Sequence, residues 1–176
     1  MPVTVTLSKD EVRRCSQLAL ERWLEKLDSK DKPSYATGSQ QGYLEHDLLA
    51  DMRANFAEWA VAKYYGLSWN GGFTYPNSEH NRRKEIADVG QNIEVRNRRK
   101  GDGTPVWDYD LVKGQILVAC EVPDIKKPTE VTILGWLPMD ECGNPNWKFI
   151  DQYNKVRYYV PSSELNDPET LKTPRR

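Results

Sequence analysis

No apolar run in the chain approaches the roughly 20 residues needed to span a bilayer, so no membrane helix is expected among its 176 residues. Cysteine is scarce: Cys15, Cys120 and Cys142 are odd in number, widely spaced and form no CxxC pair. That excludes a zinc knuckle and a disulfide framework, and reduced thiols in a cytoplasmic setting are the simplest expectation. The first ten residues lack a basic stretch followed by an apolar core, so a secretory signal is not expected. Net charge is nearly absent too, with 25 Lys and Arg against 26 Asp and Glu. A globally basic nucleic-acid binder is thereby excluded, although a local basic cleft is not. With 38% hydrophobic and 29% charged residues, the composition fits one rather polar globular domain with a single core.

Helix signals come first along the chain. Ser8-Lys-Asp-Glu11 forms a capping box, with Ser8 able to cap the helix start and Glu11 to reach back. Val12, Leu18, Leu20, Trp23, Leu24 and Leu27 follow near helical spacing, and the pattern ends around residues 28–30. Residues 30–42 are polar, contain Pro and Gly, and read as a loop. A second helix is predicted from Leu44 to Tyr65, closed by Gly66. Its stripe is Leu44, Leu48, Met52, Phe56, Trp59 and Lys63, and Ala54, Ala57, Ala60 and Ala62 keep its C-terminal half slim enough to approach a sheet. Glu58 stands among these small residues, either as a surface carboxylate paired with Lys63 or Arg53 or as a functional group.

The second half is β-rich. Residues 67–81 read as a connection holding at most a short strand, and Gly101-Asp-Gly103 is a turn signal. Ile116–Val122 and Val131–Leu137 are nearly continuous apolar runs, as expected of central strands covered on both faces. A last short strand begins at Tyr158 and enters a helical turn, and the tail after Asn166 is expected to fray. The predicted class is a mixed α/β (α+β) domain with a mixed central sheet flanked by helices. It divides into an N-terminal helix and loop (1–43), a core (44–166) and a flexible tail (167–176).

Chemistry concentrates in Ile86-Ala-Asp-Val-Gly-Gln-Asn-Ile-Glu-Val-Arg96. Side chains alternate across a strand, so Glu94 and Arg96 share one face about 6–7 Å apart, with Ile93 and Val95 on the other. A hairpin through Gly90-Gln91-Asn92 would return Asp88 to the side of Glu94. Two carboxylates and a cation would then meet at one sheet edge, the composition a divalent-metal phosphodiesterase site requires. An ordinary hairpin with a charged solvent face is the plainer alternative. Arg82, Arg83, Lys84, Arg98, Arg99 and Lys100 flank the stretch and form a local basic collar suited to phosphate contacts. Neither His46 nor His80 has a ligand partner at useful spacing.

A helix carrying Glu58, then Asp88, then Glu94-x-Arg96 resembles the PD-(D/E)XK, restriction-endonuclease-like nuclease superfamily. The run from Phe56 to Leu67, and the later Ile133-Leu-Gly-Trp136 and Tyr159-Val-Pro-Ser-Ser163, look like pieces of phage and prophage members. The resemblance covers about Leu44 to Leu165 and rests on short motifs. It implies a restriction-endonuclease-like core behind an N-terminal helical segment. Asp88 and Glu94 would hold Mg²⁺ or Mn²⁺, the Val95 carbonyl would be a further ligand, and Glu58 would give support directly or through water.

The implied activity is hydrolysis of phosphodiester bonds in DNA in the host cytoplasm, with Arg82, Arg83, Lys84, Arg98, Arg99 and Lys100 gripping the backbone. A homodimer is compatible with it. The departure is Arg96 where the family pattern has Lys. Arginine cannot serve as a general base, although it can stabilise a transition state electrostatically, and Lys84, Lys100 or Lys113 are candidates to replace the missing amine. The alternative is therefore a catalytically inactive nuclease-fold protein that binds nucleic acid or a host protein. In a purely structural or assembly protein, Trp107, Trp136 and Trp147 would mark an interface or fill the core.

Overall fold

The computed structural model describes residues 1–27, 43–72, 86–98, 103–122, 129–150 and 154–173. The expected loop at 30–42 lies outside these residues. The architecture is α+β. Four strands form one mixed sheet: β1 (Val3–Thr6), β2 (Ile93–Asn97), β4 (Ile116–Glu121) and β5 (Glu130–Pro138), in the order β1-β5-β4-β2. A second, antiparallel sheet holds β3 (Gly103–Trp107), β6 (Lys148–Ile150) and β7 (Val156–Pro161), in the order β3-β7-β6. The helices are α1 (Lys9–Leu27) and α2 (Tyr43–Tyr65).

The capping box forms as the sequence predicts. The Ser8 N–H donates to Glu11 Oε2 at 2.6 Å and the Glu11 N–H donates to Ser8 Oγ at 3.2 Å, satisfying two of the donors that a helix start leaves unpaired. The buried face of α1 differs from the expected leucine stripe. Cys15 and Ala19 are wholly buried, while Leu20 and Leu24 are 44% and 48% exposed. The small side chains let α1 lie close against α2, where the Asn55 amide donates to the Cys15 carbonyl at 3.0 Å. From Asn55 to Ala62 the second helix is buried nearly all round, Trp59 excepted, because α1 covers one side and the four-stranded sheet the other. It ends at Gly66, whose φ of 67° is the left-handed turn that favours glycine.

The apolar runs of β4 and β5 do become central strands covered on both faces. Val118, Cys120, Val131 and Ile133 pack toward Phe56 and Val61 of α2. On the opposite face Leu117 and Leu137 meet Val106 and Val160 of the second sheet. The helices thus flank one face of the central sheet, and the other face is closed by strands. Between β4 and β5 the register shifts at Ala119/Cys120 beside Gly135.

The N-terminal segment joins the core directly, since β1 pairs antiparallel with β5. Residues 167–173 also differ from the expected frayed tail. Leu171 is buried in the main core, the Tyr65 hydroxyl donates to the Pro168 carbonyl at 2.9 Å, and the Trp136 indole donates to the Asp167 carbonyl at 3.1 Å. The three cysteines are buried and free. Among the described residues no helix is long and apolar enough to cross a membrane.

A carboxylate and arginine cluster at the sheet edge

β2 is the edge strand of the central sheet, and its entry is the hairpin expected from sequence. Val89 and Ile93 exchange backbone hydrogen bonds at 3.1 and 3.2 Å around Gly90-Gln91-Asn92, and Gly90 takes φ 59°. The first arm is a single bridge at Val89. Asn70 braces it, its side-chain amide donating to the carbonyls of Ala87 and Gly90 at 2.8 and 2.7 Å. Ile93 and Val95 enter the core as the alternation requires.

Asp88 returns alongside β2. Its Oδ2 accepts the Val95 N–H at 2.8 Å and lies 3.4 Å from Arg96 Nη1. The first contact satisfies a backbone donor of β2 that no strand among the described residues takes up, so Asp88 has a structural task whatever its chemistry. Arg96 also sets Nη2 at 3.4 Å from Glu94 Oε2 and at 3.4 Å from Asp110 Oδ1. The same guanidinium donates through Nη1 to the Val95 carbonyl at 3.0 Å. That carbonyl is the further metal ligand implied by the resemblance, and here Arg96 engages it.

Glu58 is buried, not paired at the surface with Lys63 or Arg53. Lys63 instead joins Glu11 at 2.9 Å. Glu58 Oε2 accepts the Trp69 indole N–H at 2.7 Å. A Cβ on Gly71 would lie 2.5 Å from that same oxygen, so glycine is what lets the backbone close over the carboxylate. Arg22 approaches from α1, donating to Asn55 Oδ1 at 2.7 Å and to the Gly71 carbonyl.

The electrostatics follow from this crowding. Burial and the neighbouring Asp88 push Glu58 up to about 8, against the pull of Arg22, Trp69 and Arg96. Burial and Asp88 likewise raise Glu94 to about 8, with Asp110 adding to the effect. Asp88 is raised by burial, although Arg96 and the Val95 N–H oppose it. Burial disfavours charge on Arg96, but Asp88, Asp110 and Glu94 more than offset that and hold it protonated. Four carboxyl groups therefore share two guanidiniums, and the raised Glu58 and Glu94 hold protons at neutral pH where a further cation would let them ionise. Asp88 and Arg96 remain about a quarter exposed, so solvent reaches the cluster from that side.

The donor set consists of hard oxygens, which by chemistry and charge suits Mg²⁺ or Mn²⁺. Among the described residues, however, no three His, Cys, Asp or Glu side chains converge closely enough to hold a metal ion. The Arg96 guanidinium lies in contact with Asp88, Glu94 and Asp110.

Of the expected basic collar, Arg98 is described. It pairs with Glu121 and donates to Ser162 Oγ at 3.1 Å, linking β2 to β4 and to the turn after β7. Arg82, Arg83, Lys84, Arg99 and Lys100 lie outside the described residues. Sequence reasoning missed Arg22, Trp69 and Asp110. Arg22 was detectable, because Cys15, Ala19 and Arg22 fall on one helix face at spacings of four and three. Asp110 left no such signal, since it is brought in by the second sheet. Compared with protein families, with curated proteins and with solved structures, the chain finds no match.

Proposed function

We propose that the protein is a metal-dependent nuclease that hydrolyses phosphodiester bonds in DNA, with its active site at the Glu58–Asp88–Glu94–Arg96 cluster. The observation that carries this reading is the grouping of four carboxyl groups around two guanidiniums in a largely buried, solvent-reachable site at a sheet edge, where Glu58 and Glu94 keep their protons for want of a further cation. A divalent cation would take the place of the protons on Glu58 and Glu94 and complete the site. Asp88 and Glu94 would hold Mg²⁺ or Mn²⁺, with Glu58 in support. When bound, the ion supplies an activated water and neutralises charge on phosphoryl oxygens.

The protein's own residues do the rest. Trp69 and Gly71 fix the Glu58 carboxylate, and the Val95 N–H fixes Asp88. Arg96 makes three carboxylate contacts at 3.4 Å each, longer than the roughly 2.7–2.9 Å of a tight charge-assisted bond. It is shared, not clamped, and Asp110 can retain it when Asp88 and Glu94 turn to another cation. Its permanent charge then stabilises the developing negative charge of the phosphoryl group.

The test is cleavage of plasmid and of single-stranded DNA with Mg²⁺ or Mn²⁺. Wild type is expected to cleave, and Asp88→Ala and Glu94→Ala are expected to lose the activity. Equal activity in all three, or none in wild type, overturns the reading.

One observation favours a second reading. Arg96 contacts Asp88, Glu94, Asp110 and the Val95 carbonyl together, so it satisfies the site much as a metal would. In this reading the protein is a catalytically inactive binder of nucleic acid or of a host protein. Wild type and Asp88→Ala would then bind DNA equally without nicking it. Binding insensitive to salt would instead point to a protein partner.

A further inference from the structure

The outer face of the second sheet carries a row of rings that the carboxylate cluster does not use. Register places Trp107, Arg157 and Phe149 directly opposite one another across β3, β7 and β6, so they share a face spanning about 10 Å at the usual strand spacing. Two residues along β7, Tyr159 lies on the same face and meets Phe149 edge-on with ring centroids 5.7 Å apart. The Arg157 guanidinium lies 3.8 Å above the Trp107 ring. Beyond β3, Tyr109 stacks on Trp107 at 5.7 Å and an interplanar angle of 10°. Tyr109, Phe149 and Tyr159 are 52%, 50% and 37% exposed, which is unusual for large rings set side by side.

This face runs into the cluster. Tyr109 immediately precedes Asp110, which accepts the Trp107 N–H through Oδ2 at 3.2 Å and meets Arg96 through Oδ1 at 3.4 Å. We propose that this face, built from Trp107, Tyr109, Phe149, Arg157 and Tyr159, stacks the bases of a single DNA strand and leads its backbone to the Arg96 cluster. The inference rests on the nuclease reading for what happens at the cluster, but not for the binding itself.

Three observations select this occupant. The strand residues sharing the face (Gly103, Pro105, Trp107, Phe149, Arg157, Tyr159 and Pro161) include no carboxylate, and their one charge is the arginine. The exposed Lys148 and Lys155 lie at the β6 and β7 ends of the same sheet, Lys148 on its other face. Exposed rings on a sheet take two or three stacked bases, and such stacking tolerates any sequence. In a duplex the faces of each base are covered by the base pairs stacked above and below it, so the platform selects unpaired DNA.

The test is fluorescence anisotropy in EDTA, where no cleavage occurs, with a labelled 20-nucleotide oligo-dT and the corresponding dA·dT duplex. Wild type is expected to prefer the single strand. Phe149→Ala and Tyr159→Ala, with folding checked by circular dichroism, are each expected to weaken single-strand binding about five- to hundredfold. Unchanged binding by the folded variants, or equal affinity for duplex, overturns the proposal. Ring variants that turn a dimer into a monomer in sedimentation, with DNA binding intact, also overturn it and give the face to a second copy of the chain.

The two readings separate cleanly. Ring-dependent binding by a wild type that cleaves neither plasmid nor single-stranded DNA in Mg²⁺ supports the platform and removes the nuclease reading. Nicking that depends on Asp88, combined with ring variants that bind normally, does the reverse.

Discussion

Arg96 Nη2 and Asp110 Oδ1 meet at 3.4 Å although β2 belongs to the central sheet and Asp110 follows β3 of the second sheet. This contact joins the two sheets at the candidate site. It also gives Arg96 an anchor that is neither Asp88 nor Glu94. Asp110→Asn removes the anchor's charge and turns the guanidinium fully onto the two proposed metal ligands. Calorimetric titration with Mn²⁺ is expected to show affinity falling about tenfold, as for the loss of other groups that orient metal ligands. Unchanged affinity would separate Asp110 from the site.

Arg96→Lys restores the residue type of the motif that the sequence resembles. A lysine packed among these groups presents a smaller charge and can lose its proton when desolvated, which arginine cannot. Nicking by the variant in Mg²⁺ is expected to be at least about tenfold faster than by wild type, the lower end of what proton transfer contributes. A slower variant would show that the guanidinium itself suits the chemistry.

The raised carboxylates make stability depend on pH with a defined sign. Glu58 and Glu94 are lifted from 4.5 to about 8 by burial and by Asp88. Between those values the folded protein holds protons that the unfolded chain has released, so stability falls as pH rises from about 4.5 to about 8 and then levels. Urea unfolding in a chelator is expected to show this slope, and Glu58→Gln or Glu94→Gln to flatten it. Added Mg²⁺ is expected to recover stability mainly near pH 8, where the carboxylates are ionised.

Gly135→Ala tests the bulge in the middle of the central sheet. A Cβ there would lie 2.5 Å from the Asn166 carbonyl oxygen and 2.7 Å from the Leu165 Cβ. Asn166 exchanges backbone hydrogen bonds with Trp136 at 3.1 and 2.9 Å, so the added methyl pushes against a paired backbone that cannot yield. Destabilisation of about 1–3 kcal/mol is expected from thermal or urea unfolding, in the range of overpacked cores. A neutral result would mean that the segment after β7 shifts freely.

Much of this was legible in the sequence because it depends on local rules. Ser8 and Glu11 announced the start of α1, Gly66 the end of α2, and Gly90-Gln91-Asn92 the turn that returns Asp88 to Glu94. The strands β4 and β5 were marked by apolar runs too continuous for a solvated face. Val3–Thr6 went unread because four residues are too few to establish a period, and only pairing with β5 makes them a strand. Leu20 and Leu24 misled for a related reason: helical spacing identifies a stripe, but the neighbouring helix decides which stripe is buried.

The pattern of Asp88 followed by Glu94 and Arg96 was fixed by alternation and one turn, and the sequence alone determined that these groups share an edge. Tertiary structure decided the rest. It buried Glu58 under Trp69 and Gly71, brought Arg22 across from α1, and set Asp110 against Arg96 from another sheet. Those contacts join segments distant in the chain, and no periodicity records them. They also decide the chemistry, because the partners of Arg96 and the protons on Glu58 and Glu94 depend on which neighbours share a low-dielectric site. Types and spacings name the candidates; packing determines what charge each one carries.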